Sequence, residues 1–578
     1  MAGHKDAMAK DIKKTKPPRA AGDRDELVMV ALGGLGEIGM NCYLYGVGPH
    51  GARQWLLVDL GITFPEGEFD PGVDVILPDL KFIEEERGAL AGILLTHAHE
   101  DHIGAVIDLA PRLGVPIYAT PFTAGMLRAK LAEFGGSVKL AINIIPLGAR
   151  KTIGPFDIEL VSMTHSIPEP SAIAIRTRHG TVLHTGDWKL DERPYVGTPA
   201  NETRLAEIGA EGVRAMICDS TNAMREGRSP SESDIAASIT EIVKKATNRV
   251  VVTTFSSNVA RIKAVAEAAA ASGRRLVVGG RALHRVIDVA IDTGYLPADF
   301  RYIDQQQFGY LDRKEVVLLC TGSQGEPRAA MARIADGDHP DLSLAKGDLV
   351  IFSSRTIPGN EKSVGRIQNA LVQMGCEVLT DGEALVHVTG HPRRDELRQM
   401  YAWIKPEIAV PMHGEARHIK AHAELARAAG VPQVVSAYNG EMVRLAPGSA
   451  EVIDDVPVGR LFRDGRLIVN ALDGPVRDRR RLAQAGICVV AVTLDRRGGL
   501  PGQAQVMLDG IPQVDAEGES IFEIVVDAVD GALESIPPKR RKDPELVREA
   551  VRRAARSAIS EAWGKKPICK VLVTQIDG

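Results

Sequence analysis

The chain has 578 residues, of which 44% are hydrophobic and 25% charged, with a formal net charge of −5, and this is the profile of a soluble globular protein. That length is too great for one core and predicts roughly three or four domains, and no apolar run approaches the roughly 20 residues that span a bilayer; a membrane protein is excluded and a cytoplasmic one expected. The charge gives no global pull toward nucleic acid, so a polyanion partner has to be held by local basic patches.

In chain order, residues 1–25 are basic and Pro-bearing without an apolar h-region, and they read as a disordered arm rather than a signal peptide. From Leu27 to Asp219 short apolar runs alternate with turn signals, and several stop at His or Asp: "WLLVDLG", "AGILLTH", "FDIELVSMTH", "TVLHTGD", "RAMICDSTN". Loops at strand ends that carry such residues converge on one site. Helix–strand alternation takes over from Ser231 to Val350, and after Ile351 the earlier style returns with "EVLTDGEALVHVTGHP" and "EIAVPMHGEARH". The second unit is therefore inserted into the first. A last segment has a helix over "DPELVREAVRRAARSAISEAW", with Asp543 at its N-cap and Pro544 at N1. The expected division is an arm over 1–25, a first domain over 26–225, its insertion over 226–380, the return over 381–450, a linker over 451–470 and a C-terminal domain over 471–578.

The stretch "LLTHAHEDHIGAV" puts His97, His99, Glu100, Asp101 and His102 within six consecutive positions. Such crowding of ionisable groups is best explained by a bound cation. The six cysteines, Cys42, Cys218, Cys320, Cys376, Cys488 and Cys569, are far apart with no C-x-x-C pair. A disulfide framework and a thiolate zinc site are both disfavoured, so a metal must use His and carboxylate. The spacing H-x-H-x-D-H lets one loop serve two adjacent cations, and imidazole with carboxylate suits Zn²⁺, or Mn²⁺ where carboxylates dominate. A dinuclear centre needs further ligands at strand ends, and His165, Asp187 and His413 are placed for that. Singly, Asp187 after Gly186 also suits a turn, and His413 before Gly414 a loop. Asp187 is the natural bridge, since a carboxylate can join two cations about 3.5 to 4 Å apart. Asp59 suits acceptance of a ligand imidazole N–H.

The order H-x-H-x-D-H, His165, Asp187 resembles the metallo-β-lactamase superfamily, whose fold sandwiches two β-sheets between helices. The insertion followed by "HVTGH" and "PMHGE" is similar to its β-CASP nucleases. Together with "LGGLGEIGMN", "GITFPE", "DSTNA", "TGSQGEP" and "SSRTIPGNE", these motifs resemble the bacterial ribonuclease J family from about Leu27 to Ala450. The resemblance implies an αββα sandwich with an inserted β-CASP α/β domain and a small C-terminal α/β domain. It implies a zinc-dependent ribonuclease with two Zn²⁺ per subunit, Mn²⁺ as the alternative, and a structural Ca²⁺ to which no residues are assigned. The metal ligands implied are His97, His99, Asp101, His102, His165, Asp187 and His413. His391 is implied at the scissile phosphate and Asp219 as a proton donor to the leaving oxygen. Ser256, Ser257 and Asn258, with the backbone of His387, Val388, Thr389, Gly390 and His391, match the phosphate-binding elements. Where many relatives read G-H-A-S, this chain has Gly390, His391, Pro392 and Arg393, and Arg393 has either a phosphate or Asp395 as its partner.

The implied activity is 5′-to-3′ exonuclease action on 5′-monophosphorylated single-stranded RNA, with endonuclease cutting beside it, in RNA maturation and mRNA decay. A homodimer or homotetramer and an RNA-degradation complex are the implied partners. A DNA-acting β-CASP nuclease is the nearest alternative, because only contacts to the 2′-OH separate the two substrates. A small-molecule hydrolase has no need of the insertion, and a catalytically silent scaffold would lack ligands that are present here. With 4% aromatic residues, a nucleic-acid channel would work mainly through phosphate contacts. The basic stretch from Pro537 to Ser557 suits a helix over RNA, a solvated face or a subunit contact equally.

Overall fold

The run Glu26–Gly33 is buried along its whole length and pairs antiparallel with Cys42–Gly48 on one side and Glu441–Ala446 on the other. Val, Leu and Met fit a strand covered on both faces. In this computed structural model, which describes residues 24–576 apart from 66, 68, 136, 137, 472 and 473, that strand lies in an eight-stranded sheet. Its order is Glu451–Asp455, Glu441–Ala446, Glu26–Gly33, Cys42–Gly48, Gln54–Val58, Leu90–Leu94, Ile117–Ala119, Ile142–Ile144. All but the last two residues of the expected arm, 1–25, lie outside the described residues.

A seven-stranded sheet follows, in the order Gln433–Val434, Ile408–Met412, Ala215–Asp219, Gly180–His184, Ser171–Thr177, Phe156–Ser162, Arg150–Ile153. Leu27, Met29, Tyr43, Leu56 and Val58 from the first sheet meet Phe156, Ile158, Ile173, Ile217 and Val410 from the second in one apolar core. Helices Glu202–Glu211, Arg394–Ile404 and Ala416–Ala428 bury Leu205, Leu397, Met400 and Leu425 against Val161, Leu183 and Met216 on the outer face of the second sheet. This is the two-sheet sandwich that the sequence resemblance implies. Ile408–Met412 pairs in parallel with Ala215–Asp219, Met412 opposite Asp219, so the chain returns from its insertion beside the point where it left.

The insertion is a six-stranded parallel sheet, ordered Ile303–Asp304, Arg275–Gly279, Val316–Cys320, Val250–Thr253, Leu349–Phe352, Glu377–Leu379. The alternation continues past Val350 through helix Glu361–Gln373 to the edge strand Glu377–Leu379, inside the expected bounds of 226–380, since Phe352, Val364, Ile367 and Leu371 complete the core built on Val251 and Leu318. Both sandwich sheets and the insertion belong to one compact unit, residues up to 63 and 77–460.

Residues 64–76 and 461 onward form a second unit. Its sheet, Gln505–Asp509, Ile487–Asp495, Ile568–Ile576, carries helices Ile521–Ser535 and Pro544–Trp563. Asp543 accepts from the Glu545 and Leu546 amides at 3.0 and 3.4 Å with Pro544 behind it. The membership of 64–76 was not expected; it follows from contacts such as Arg480 to the Asp70 carboxylate at 2.9 Å and the Asp74 amide to the Arg463 carbonyl at 2.9 Å. The stretch 451–470, expected as a linker, instead holds strand Glu451–Asp455 paired with Glu441–Ala446 and the hairpin Arg460–Asp464 with Leu467–Asn470. Among the described residues no helix is long and apolar enough to cross a membrane.

Candidate metal centre

Strands from both sandwich sheets end at one place. Gln54–Val58 delivers Asp59, Leu90–Leu94 delivers Thr96 to His102, Gly180–His184 delivers Asp187, Ala215–Asp219 ends in Asp219, and Ile408–Met412 delivers His413. Asp59 and His413 hold φ of 60° and 52°, a left-handed conformation that costs a non-glycine residue free energy and is concentrated at functional sites.

Three imidazoles form one group. His97 Nε2 lies 3.1 Å from His99 Nδ1, which lies 3.0 Å from His165 Nε2. His165 donates its Nδ1–H to the Gly390 carbonyl at 2.5 Å, so its Nε2 lone pair faces the other two rings. Asp101, His102, Asp187 and His413 form a second group. Asp59 accepts from His102 Nδ1 at 2.7 Å and from the Thr96 amide and hydroxyl at 2.8 Å each. That directs His102 Nε2 to the Asp187 and Asp101 carboxylates, at 3.2 and 3.7 Å. His413 Nε2 lies 3.2 Å from the same Asp101 oxygen, while its Nδ1 bonds the Thr221 hydroxyl at 2.9 Å. Asp187 stands between the groups, one oxygen 3.2 Å from His102 and 4.0 Å from His165.

These donors fit a pair of cations. Nitrogen and carboxylate lone pairs converge, and the second Asp187 oxygen is buried without a hydrogen-bond partner among the described residues. Buried acceptors left facing one another are costly unless a positive charge joins them. The proton affinities show the same field. Burial works against the charged form of His413, but Asp187, Asp101 and Asp219 raise its pKa to about 10. Burial likewise opposes His102, yet Asp187, Asp101 and Asp59 raise it. In the first group burial dominates, holding His97 and His165 well below their ordinary value and His99 at about 4. Neutral imidazole is the form that binds a metal.

His391 lies beside both groups with its side chain 20% exposed, donating Nδ1–H to Asp219 at 2.8 Å and stacking on His413 with ring centroids 5.5 Å apart. Asp219 is fully buried, and its other oxygen accepts from the Thr221 amide and hydroxyl at 2.9 and 2.7 Å. With both oxygens occupied as acceptors, and its pKa held down against burial by His391 and His413, Asp219 is a carboxylate that orients His391. Asp219, expected as a proton donor, therefore meets His391 as an acceptor, and Asp219 and Asp187 raise the His391 pKa against burial.

The other expected residues have mixed positions. Asn258 is buried and its oxygen caps helix Val259–Ala271 by accepting from the Arg261 amide at 2.9 Å, while Ser256 and Ser257 are half-buried. The Thr389 hydroxyl accepts from Asn222 at 2.8 Å and from the His391 amide at 3.2 Å. Gly390 passes so close to His165 that a Cβ there would meet the ring at 2.4 Å. Val388 is buried, and burial with Arg261 and Arg355 nearby takes His387 down to about 3. Asp395 pairs with Arg398, not with Arg393, whose buried Nε has no hydrogen-bond partner among the described residues. Sequence reasoning missed Asn41, whose Nδ2 lies 3.0 Å from His102 Nε2, and Thr221. Asn41 closes "LGGLGEIGMN", the signal that could have found it.

Family models match four stretches: the metallo-beta-lactamase superfamily over residues 35–209, the ribonuclease J beta-CASP domain over 247–371, the Zn-dependent metallo-hydrolase RNA specificity domain over 377–436 and the ribonuclease J C-terminal domain over 474–576. Ribonuclease J of Sinorhizobium meliloti is 51% identical over 98% of this chain and 100% of that protein. Ribonuclease J of Mycolicibacterium smegmatis is 37% identical over 97% and 99%, and that of Helicobacter pylori J99 33% identical over 93% and 77%. A crystal structure of a protein of unknown function from Enterococcus faecalis V583 aligns with TM-score 0.51 and 16% identity over 72% of this chain and all of that one, a likeness of fold alone. The motifs, the sandwich with its inserted sheet and the near full-length identities agree: this chain belongs to the ribonuclease J family.

Proposed function

We propose that this chain is a metal-dependent ribonuclease that removes nucleotides from the 5′ end of single-stranded RNA, favours a 5′ monophosphate and also cuts internally. The observation that carries the reading is the pair of ligand groups meeting at Asp187, with His391 and its carboxylate partner at their edge. His97, His99 and His165 would hold one cation, Asp101, His102 and His413 the other, with Asp187 between them. Zn²⁺ suits this donor set and Mn²⁺ is the alternative. When bound, such cations lower the pKa of water toward neutrality and offset charge on the phosphodiester.

The rest is supplied by the chain. His391 is 20% exposed, Asp219 and Asp187 raise its pKa against burial, and when protonated it would donate from its Nε2 side to a non-bridging phosphate oxygen or to the departing 3′ oxygen. Asp219 fixes the imidazole, and Asn222, donating to the Thr389 hydroxyl and the His391 carbonyl at 2.8 and 3.2 Å, fixes the loop. Ser256 and Ser257 stand at the strand end of the insertion, and Arg225 is held below its ordinary pKa by burial and by the nearby Arg355 and Arg393. These guanidiniums supply a local basic patch in a chain of negative net charge, suited to phosphate without base readout. The match to an RNA specificity domain over 377–436 supports RNA over DNA.

The test is to time mononucleotide release from one sequence made as 5′-monophosphate RNA, 5′-triphosphate RNA and DNA, with and without chelation. Faster release from the monophosphate RNA, lost on chelation and restored by Zn²⁺ or Mn²⁺, is expected. Equal rates at both 5′ ends, or products starting from the 3′ end, would overturn the polarity; undiminished activity in rigorously metal-free protein would overturn the metal dependence.

A further inference from the structure

The C-terminal unit pairs two cysteines that are distant in sequence. Cys488 and Cys569 are register partners on the parallel strands Ile487–Asp495 and Ile568–Ile576. Register partners point to the same face, and a strand spacing of about 4.8 Å puts their Cα atoms inside the roughly 4.4–6.8 Å that a disulfide spans. The Cys569 thiol donates to the Pro567 carbonyl at 3.9 Å. Helix Pro544–Trp563 covers them, packing Val547, Val551 and Ala555 into the core that contains Cys488.

The two sulfurs are not equivalent. Cys488 is buried, and Cys569 is partly exposed. The neighbouring Cys488 and the charges of Arg556 and Arg552 work against burial and hold the Cys569 thiol below its ordinary value, while Cys569 and burial push Cys488 up. Arg552 is paired with Glu549 at 2.7 Å, but Arg556 keeps a buried Nε without a hydrogen-bond partner among the described residues. Cys42, Cys218, Cys320 and Cys376 are all buried, which raises each of their thiols. Thiolate character and exposure together decide which cysteine reacts with an oxidant.

We propose that Cys488 and Cys569 form an oxidisable dithiol that hydrogen peroxide closes to an intramolecular disulfide, Cys569 reacting first and Cys488 resolving. The Cys569 thiolate attacks one peroxide oxygen, the O–O bond breaks and hydroxide leaves, giving a sulfenic acid. The Cys488 thiol then attacks that sulfur, so that an S–S bond forms, the S–O bond breaks, and the departing hydroxide takes the thiol proton as water. Two thiols and one peroxide become one disulfide and two waters. The product ties the last described strand to the central strand of its sheet.

Full-length protein exposed to hydrogen peroxide, alkylated under denaturing conditions and digested without reductant tests this by mass spectrometry. A peptide pair joining Cys488 to Cys569, two hydrogens lighter than the reduced pair and reversed by dithiothreitol, is expected, with the other four cysteines still alkylated. In Cys488→Ser the Cys569 sulfenic acid should persist and be trapped by dimedone; in Cys569→Ser no disulfide forms and Cys488 stays reduced. Should either variant misfold, the wild-type protein decides alone: iodoacetamide is to label Cys569 before the other five in the native state. Cys569 reaching sulfinic acid without a joined peptide, or uniform oxidation and labelling of all six cysteines, would overturn the proposal.

Discussion

Replacement of Gly390 by alanine isolates one contact that holds the first imidazole group. The added Cβ would lie 2.4 Å from His165 Cε1 and Nδ1, where ordinary contact begins at 3.4 Å. Gly390 has no positive φ, so the substitution brings a clash without backbone strain. To relieve it, the ring or the loop must move by about 1 Å, and that also stretches the 2.5 Å bond from His165 Nδ1 to the Gly390 carbonyl. A displacement of about 1 Å at a catalytic group costs on the order of 10²-fold in rate, and loss of the partner that orients a ligand imidazole costs about 10- to 100-fold in metal affinity. The assay pairs turnover of a 5′-labelled RNA with metal content after dialysis and with a thermal melt. Gly365, inside helix Glu361–Gln373 with open space where a methyl group would point, is the control: alanine there should stabilise by about 0.5–1 kcal/mol and leave activity alone. Wild-type turnover and metal affinity in Gly390→Ala would refute the reasoning.

Three further outcomes are expected. His391→Ala should lower turnover by roughly 10² or more with metal content near wild type; metal loss in that variant would make His391 a ligand instead. Arg261→Met should destabilise by about 3–5 kcal/mol, because it leaves the buried Glu232 without its partner at 2.9 Å, while a denaturant midpoint equal to wild type would contradict this. Burial opposes ionisation of Glu159, but Arg204 and Arg176 lower its pKa from 4.5 to about 2. Its folded pKa is depressed, so its contribution is present above pH 4.5 and disappears as pH falls toward 2. Acid melts of Glu159→Gln should lose that part of the slope, and melts that superimpose on wild type at every pH would exclude it.

The residues the structure gathers at the centre were readable where the signal was local and chemical. His97 to His102 crowd one loop, and His165, Asp187 and His413 each close an apolar run, so strand propensity and ligand chemistry pointed the same way. Asp59 was readable for the same reason. What the sequence did not disclose is which of several available partners each polar side chain takes. Asn258, expected among the phosphate donors, also caps helix Val259–Ala271 with its oxygen, which leaves its amide N–H groups as the donors. Asp219 was expected as an acid, and the fold sets one of its oxygens against His391 and the other against Thr221. Residues 64–76 have no apolar pattern of their own, and arginines after 474 decide which unit they join. Glu451–Asp455 is mostly exposed and acidic, unlike a core strand, and forms only because it closes the edge of a sheet.

The parallel pairing of Ile408–Met412 with Ala215–Asp219 has a consequence for timing. Everything between those strands must be synthesised before His413 can reach Asp101 and Thr221, and the same return brings Gly390 to His165 and His391 to Asp219. A ribosome-bound chain that has passed Asp187 already carries most of the cation donors, yet neither His391 nor the closing imidazole. Such a chain is expected to bind metal weakly and to leave RNA intact, which a stalled or truncated product ending before Gly390 would reveal in a nuclease assay. The insertion thereby acts as a delay, since the centre stays incomplete until the insertion itself has been made and the chain has returned.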